Sequence, residues 1–293
     1  ASGAGLYALD RAEQVNLLVI EPHTRDGRVD PAVVRAAADY CRDRRAVLLL
    51  EGPTGWQAAG VPLDAGGSDL EAVIGTSSAD AALFHPRLRR PSLTRDGAVE
   101  DFSPLGAVAG VIARTEARSG VWASPAGEQA LLNRVPALSV ELTTRQISAL
   151  TAAGVNCLRS IPGGGRVVWG ARTMQGGDSS GSEWKYLSVR RTALMIEESL
   201  ARGIRWVAFE PNTEATWAQV REHADEFMHG LFRAGAFPSS ASSSEVFFVK
   251  CGRDTMTEAD IESGALTLVV GFAPIRAGEF VSVRVRQATA GAA

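Results

Sequence analysis

The sequence has 293 residues, of which 45% are hydrophobic and 22% are charged, a composition typical of a packed globular chain rather than a disordered one. Its formal net charge of −3 lacks the basic excess expected of a nucleic-acid-binding protein. Apolar runs such as Ala46–Leu50 are much shorter than the ~20 residues that a membrane helix needs. Three cysteines (Cys41, Cys157 and Cys251) without paired or CxxC spacing argue against a disulfide framework or a thiolate zinc site, and indicate a reducing compartment.

Residues 1–56 are predicted to form the β-α-β beginning of an α/β core. The short apolar runs Asn16–Ile20 and Ala46–Leu50 indicate two buried strands. Between them, Asp30 is a suitable N-cap and Pro31 a suitable first residue for a helix, whose apolar face follows a 3,4 spacing. Two apolar strands joined by a helix favour parallel pairing with both sheet faces covered.

The next two ranges are predicted to differ in regularity. Residues 57–135 are interrupted by many glycines and prolines, which suggests an inserted, loop-rich subdomain. Residues 136–279 return to clear patterns and are predicted to complete the α/β core. Two amphipathic helices are expected, the first ending at Gly203 and the second at Gly235. The predicted strands of this range are Arg205–Phe209, Val246–Val249 and Leu266–Val270.

The segment from Phe280 to Arg286 alternates strictly between apolar and polar residues. Its three valines fall on one face of a strand, and Ser282, Arg284 and Arg286 fall on the other. This pattern predicts a half-buried strand near the end of the sequence. Such a strand either stays at the edge of its own sheet, which is the more frequent arrangement, or extends the sheet of a neighbouring chain.

Two weak patterns leave an α/β enzyme open as the alternative. The spacing Gly177-x-Ser179-x-Gly181 matches a hydrolase nucleophile elbow, but no apolar strand leads into it. Glu210, at the end of the predicted strand 205–209, could pair with Glu51 as in a retaining glycosidase. A strand-to-helix turn explains Glu210-Pro211-Asn212 equally simply, because acidic residues are favourable near a helix N-terminus.

Cofactor and metal signatures are weak throughout the sequence. Gly3-x-Gly5-x-x-Ala8 resembles a dinucleotide fingerprint but no strand precedes it, and neither lysine follows a glycine as a Walker loop requires. The four histidines lack HxH or HExxH spacing. The sequence therefore predicts no catalytic residue, no cofactor and no metal site.

An ordered series of short segments begins at residue 84. In chain order they are Phe84–Leu88 (FHPRL), Val108–Thr115 (VAGVIART), Gly120–Ala126 (GVWASPA), Leu150–Asn156, Trp169–Thr173 (WGART), Val189–Arg191 (VRR), Trp206–Asn212 (WVAFEPN) with Trp217, Phe248–Cys251, and Ala273–Val281. Together these segments resemble those of the contractile tail sheath proteins, found in phage tails and related injection systems. Each piece is weak alone, but their order from residue 84 to residue 286 is specific.

The resemblance implies a non-enzymatic sheath subunit of a phage-like contractile injection system. Such subunits stack as hexameric rings in a helical sheath around an inner tube, and contraction drives the tube through a target envelope. The implied partners are further copies of the chain, the inner tube protein, and baseplate and terminal cap proteins, with neither nucleic acid nor membrane insertion. Assembly in the cytoplasm of the producing cell, with release in a phage tail or extracellular particle, is also implied.

The resemblance also assigns roles to residues. Members of the family are linked by terminal arms that add strands to the sheets of neighbouring subunits, so residues 280–293 are expected to form a C-terminal strand-exchange arm. The family usually has an N-terminal arm before the first segment seen here, and we expect that sequence to be missing. The arm residues are Phe280, Val281, Ser282, Val283, Arg284, Val285 and Arg286. The residues expected to form core and turn architecture are Trp169, Gly170, Ala171, Arg172, Thr173, Arg190, Arg191, Trp206, Phe209, Glu210, Pro211 and Asn212.

Overall fold

A computed structural model of the protein describes residues 3–24, 27–57, 67–92, 95–239, 242–275 and 280–290. The chain divides into two compact units, 1–191 and 192–293. The division falls within one long helix and does not coincide with the predicted boundaries at residues 56, 135 and 279. None of the helices in these ranges has the length and apolarity needed to cross a membrane.

The first unit is built on a five-stranded mixed sheet in the order β1-β2-β3-β7-β8. The first four strands run parallel, and β8 pairs antiparallel with β7. A smaller antiparallel sheet has the order β5-β4-β6. The strands are β1 (Leu17–Val19), β2 (Val47–Glu51), β3 (Ala81–His85), β4 (Leu88–Pro91), β5 (Val99–Phe102), β6 (Ala137–Leu138), β7 (Asn156–Ile161) and β8 (Gly165–Val168).

Helices cover both faces of the five-stranded sheet, as a parallel sheet requires. Leu48 and Leu50 of β2 share a core cluster with the buried face of α1, while Val47 and Leu49 point to the opposite face. Helix α3 also contacts β2. The helices are α1 (Pro31–Asp43), α2 (Gly67–Ile74), α3 (Leu105–Ser119), α4 (Thr144–Ala152) and α5 (Leu187–Gly203), with 3-10 helices at Gly5–Arg11 and Thr54–Gln57.

The predicted β-α-β beginning is confirmed. Strands β1 and β2 pair in parallel, and the Asp30 side chain caps α1 by accepting a hydrogen bond from the Ala32 backbone N–H at 2.7 Å. The irregular insertion predicted for 57–135 is wrong where β3 and α3 lie. Strand β3 pairs with both β2 and β7, so this range supplies a central strand of the main sheet.

The second unit contains a three-stranded antiparallel sheet in the order β11-β10-β9. Helix α6 contacts β9, and its buried residues include Trp217, Val220, Ala224 and Met228 along one face. The elements are a 3-10 helix (Arg205–Phe209), α6 (Glu214–Arg233), α7 (Ser243–Val246), β9 (Phe247–Lys250), α8 (Glu258–Glu262), β10 (Ala265–Phe272) and β11 (Val281–Ala288).

The strand predicted for 205–209 is wrong, because these residues form the 3-10 helix. Only Val207 is buried along it, and Phe209 points outward. A short apolar run does not by itself distinguish a strand from a helical turn. The strands predicted at 246–249 and 266–270 are confirmed as β9 and β10.

Candidate assembly interface

The WGART segment, Trp169–Thr173, follows β8 and is anchored by one buried side chain. Asn156, at the start of β7, is fully buried; its Nδ2 donates to the Arg172 carbonyl at 2.8 Å and its Oδ1 accepts from the Arg172 N–H at 2.6 Å. A Cβ atom added to Gly170 would lie only 3.0 Å from Asn156 Oδ1, so any residue other than glycine would displace the Asn156 side chain. The Ala171 carbonyl accepts from the Leu187 N–H at 3.0 Å, which ties the segment to the start of α5.

The side chains of Arg172 and Thr173 fasten the loop that follows. One guanidinium nitrogen of Arg172 donates to the Thr151 and Gly176 carbonyls at 2.8 and 2.9 Å and to Asp178 Oδ1 at 2.8 Å. Lys185 bonds the same carboxylate oxygen, and these two cations lower the pKa of Asp178. The buried Thr173 hydroxyl donates to the Trp184 carbonyl at 2.8 Å. The side chains of Arg172 and Thr173 therefore fix the backbone of this loop and do not surround a binding site.

The two arginines of the VRR segment lie near the start of α5 and make ion pairs within the first unit, of which the Arg190–Asp80 pair is largely buried and the Arg191–Glu116 pair has an exposed carboxylate. Arg190 forms two hydrogen bonds with Asp80, at 2.7 and 3.3 Å, and its guanidinium lies 4.6 Å from the centre of the Trp184 ring. Arg191 donates to Glu116 on α3 at 2.6 Å. Buried charges are tolerated when they are paired in this way. The sequence did not single out Asp80 or Glu116, because such partners lie far away along the chain.

The WVAFEPN segment, Trp206–Asn212, turns the chain from the 3-10 helix into α6. The edge of the Trp206 ring packs on His223, with ring centres 5.6 Å apart. Asn212 accepts from the Trp217 indole N–H at 2.7 Å and donates to the Ile261 and Ala265 carbonyls at 3.3 and 3.4 Å. The Pro211 carbonyl accepts from the Thr216 hydroxyl at 2.7 Å.

Phe209 and Glu210, by contrast, direct their side chains outward. The Phe209 side chain is 85% exposed, and that of Glu210 is also exposed. The Glu210 backbone is bonded at both ends, donating to the Val207 carbonyl and accepting from the Ala290 N–H, each at 3.0 Å. Hydrogen bonds thus fix the backbone of the turn Phe209–Asn212, which we call the FEPN corner. The side chains of Phe209 and Glu210 point outward from it.

The predicted arm, Phe280–Arg286, forms most of β11 and pairs with β10 of its own chain. The ladder runs from Val281 opposite Phe272 to Ala288 opposite Ala265. The alternation is as predicted: Val281, Val283 and Val285 are buried. On the other face Ser282, Arg284 and Arg286 are exposed, and Arg286 bonds Asp260 at 2.6 Å.

Strand β11 lies at one side of its sheet, and no strand within the described ranges pairs with its other edge. The sheet also has an aromatic outer face that the sequence did not single out. A Cβ on Gly271 would lie 2.2 Å from the Phe248 ring, so this glycine lets the ring lie flat on β10. Phe248 stacks on Phe280, with ring centres 6.1 Å apart.

In the described part of the chain, the residues considered for the enzyme alternative do not lie in the positions that a nucleophile elbow or a glycosidase site requires. Ser179 lies in an exposed turn between the end of β8 and the start of α5, so the strand-turn-helix geometry of a nucleophile elbow is missing there. Glu210 follows a 3-10 helix rather than a strand, so its proposed glycosidase position is wrong. Glu51 ends β2 and is held by Arg87 at 3.3 Å.

All three cysteine thiols are buried. Burial raises the pKa of Cys41, Cys157 and Cys251 to about 12, which keeps the thiols protonated. Among the described residues, no group of three or more histidine, cysteine, aspartate or glutamate side chains is placed to hold a metal ion.

Comparisons with known proteins agree with the ordered segments. The family model for the phage tail sheath protein central domain matches residues 4–174, and the model for the phage tail sheath C-terminal domain matches residues 179–288. The chain is 29% identical over 134 residues to the tail sheath protein of Enterobacteria phage T4. That match covers 45% of this chain but spans only 20% of the phage protein.

Two solved structures are similar over nearly the whole chain. One comes from the baseplate of the anti-feeding prophage, with a TM-score of 0.73, 29% identity, and coverage of 95% of this chain and 70% of that chain. The other is the sheath complex of an extracellular contractile injection system, PVC, in its contracted state, with a TM-score of 0.73, 27% identity, and coverage of 93% and 71%. The α/β fold with a mixed sheet agrees with these relatives. The chain belongs to the phage tail sheath protein family.

Proposed function

We propose that this chain is a structural subunit of a contractile injection system, in which copies polymerise as stacked rings around an inner tube. The observation that carries the proposal is the match of both sheath domains, in chain order, over residues 4–174 and 179–288. Similarity to chains from a baseplate and a contracted sheath complex supports the same role. Contraction of the assembly would drive the tube through a target envelope.

The work of such a subunit is mechanical, and it needs no active site. The energy for contraction is stored in a metastable extended lattice, so a subunit has to remain folded while its contacts with neighbours change. The motif side chains Asn156, Arg172 and Arg190 support this reading, because Asn156 and Arg172 fasten a loop and Arg190 forms an ion pair with Asp80. We propose accordingly that the chain is not an enzyme and uses no cofactor.

Strand exchange at the β9-β10-β11 sheet is proposed as the link between subunits. In a swapped assembly β11 would form with β10 of a neighbour the same ladder that it forms in the single chain, because domain swapping preserves the contacts of the exchanged element. The three buried valines would contribute about 1.5–3 kcal/mol each to holding the strand. Backbone ladders of this kind can persist while the rest of the subunit rotates.

A reversible covalent lock tests whether β11 is donated. Val269 and Arg284 lie opposite each other in the ladder and away from the buried valines. In the double variant V269C/R284C, oxidation would fix β11 to its own chain, and we expect assembly to stop until a reductant is added. Each single variant is the control. Oxidised, fully locked protein that still builds a sheath would rule out donation of this strand.

The remaining partners are proposed from the family alone. They are the inner tube protein, the baseplate and a terminal cap, with assembly in the cytoplasm of the producing cell and release within a phage tail or extracellular particle. Neither nucleic acid nor a membrane is proposed as a partner, in keeping with the net charge of −3.

Negative-stain electron microscopy of purified protein tests the sheath role against the enzyme alternative. A sheath subunit predicts rings or tubes that lengthen with protein concentration, whereas an enzyme predicts small discrete oligomers. Glycosidase and esterase assays of the protein and of Glu210→Gln provide the comparison. Activity that is lost in Glu210→Gln, in material without tubes, would contradict the proposal.

A further inference from the structure

Phe209 is the most exposed large apolar residue in the described part of the second unit. It is 85% exposed at the end of the 3-10 helix, although its neighbour Val207 is fully buried. The adjacent carboxylate of Glu210 is exposed. Because the backbone of Glu210 is bonded to Val207 and Ala290, the pair of side chains projects from a rigid corner.

A second exposed aromatic surface lies on the outer face of the sheet in the same unit. It consists of Phe248 and Phe280, which are 37% and 48% exposed and stack on each other. The ammonium group of Lys250 lies 5.7 Å from the centre of the Phe248 ring. Asp254 is 3.9 Å from this ammonium group, a loose contact on the surface. We call Phe248, Lys250 and Phe280 the aromatic patch.

The corner of a chain is too far from the patch of the same chain to cover it. Glu210 is bonded to Ala290 beyond the end of β11, whereas Phe280 directly precedes its start. The intervening strand, Val281–Ala288, rises by about 3.3 Å per residue and therefore separates the two surfaces by roughly 25 Å. Strand exchange would keep the same ladder and the same separation, with Phe280 supplied by the chain that donates β11, so contact between the corner and the patch requires a second copy.

We propose that Phe209 and Glu210 of one chain dock on the aromatic patch of a second copy. The ring of Phe209 would complete an aromatic cluster with Phe248 and Phe280, and the Glu210 carboxylate would face the Lys250 ammonium group. The two surfaces thus match in both apolar character and charge. Aromatic side chains that fill such pockets commonly dominate the energy of an interface.

The proposed contact joins two different surfaces, so it is heterologous. Heterologous contacts repeat from copy to copy and generate closed rings or open helices, the two geometries that a sheath combines. The inference rests on the proposed sheath function and adds to it a side-chain contact beyond the strand exchange. It assigns the exposed phenylalanine of the FEPN corner to subunit assembly.

A charge exchange tests the contact. Wild-type protein first has to assemble, since failure at that stage would count against the sheath function itself. Glu210→Lys and Lys250→Glu should each raise the critical concentration for assembly at least tenfold, and the double variant should recover most of the loss. Glu128→Lys, an exposed charge in the first unit, is the matched control and should assemble normally. Unaltered assembly of both single variants would overturn the proposal, as would a double variant no better than either.

Cysteine cross-linking provides a second test that does not depend on stability. In Ala208→Cys/Ser282→Cys, which places exposed cysteines beside the two surfaces and keeps all three phenylalanines, a short bismaleimide cross-linker should give a ladder of covalent multimers from assembled material. The three native cysteines are buried, so wild-type protein is the control for background cross-linking. Assembled double variant that stays monomeric under denaturing conditions would overturn the contact. A Phe209→Ala protein that assembles normally and loses only its binding to the inner tube would also overturn the contact.

Discussion

His85 gives the sharpest solution prediction for the first unit. It ends β3 and is 1% exposed, and neither ring nitrogen has a hydrogen-bond partner among the described residues. The edge of its ring packs with Trp56, ring centres 5.4 Å apart. Burial lowers the pKa of His85 from 6.5 to about 4, because a charged imidazole cannot be solvated there.

The direction of the pH effect follows from this lowered pKa. The unfolded chain binds the proton more tightly than the folded one, so the contribution to stability is full above pH 6.5 and declines as the pH falls towards 4. With those two pKa values, the folded state should lose about 2 kcal/mol between pH 8 and pH 5, and about 3 kcal/mol in total once the pH is well below 4.

Urea unfolding of unassembled protein, followed by tryptophan fluorescence at pH 8 and pH 5, measures this loss. His85→Leu should reduce the pH dependence by about 2 kcal/mol, since leucine does not titrate. The raised pKa of Glu51 acts in both proteins and cancels in the difference. His23→Gln, at an exposed position, should behave as wild type. A His85→Leu protein with the full wild-type pH dependence would refute the reasoning.

Two further substitutions probe the motif residues of the first unit. Arg190→Ala leaves the carboxylate of Asp80 buried without its main partner and should cost about 3–5 kcal/mol, measured by the same unfolding assay; a loss below 1 kcal/mol would contradict the pairing. Asn156→Ala removes both hydrogen bonds to the Arg172 backbone and should cost about 2–4 kcal/mol. It should also speed proteolysis in the loop after Thr173, and unchanged cleavage there would show that Asn156 does not anchor it.

Sequence patterns correctly predicted the elements whose signals lie within a few neighbouring residues. The N-cap at Asp30 and the 3,4 spacing that follows it define α1 without reference to any other segment. The strict alternation from Phe280 likewise predicts β11 and its buried valine face. Such features depend on residues that are close together in the chain.

Other features depend on pairings that no local pattern reports. Strand β3 was hidden because glycines and prolines surround it, and only its pairing with β2 and β7 makes it central. The run 205–209 was predicted as a strand, but its outward Phe209 and inward Val207 suit a helical turn. The aromatic patch was missed because Phe248 and Gly271 meet only through the register of β9 with β10.

The central claim is that copies of this chain build a mechanical assembly through the last strand of the second unit. Electron microscopy of wild-type protein beside a variant lacking Phe280–Ala293, both checked for folding by circular dichroism, tests it most directly. We expect rings or tubes from the wild type and only dispersed, folded particles from the variant. Wild-type protein that stays dispersed under every assembly condition, or a shortened variant that forms tubes of normal length, would contradict the account.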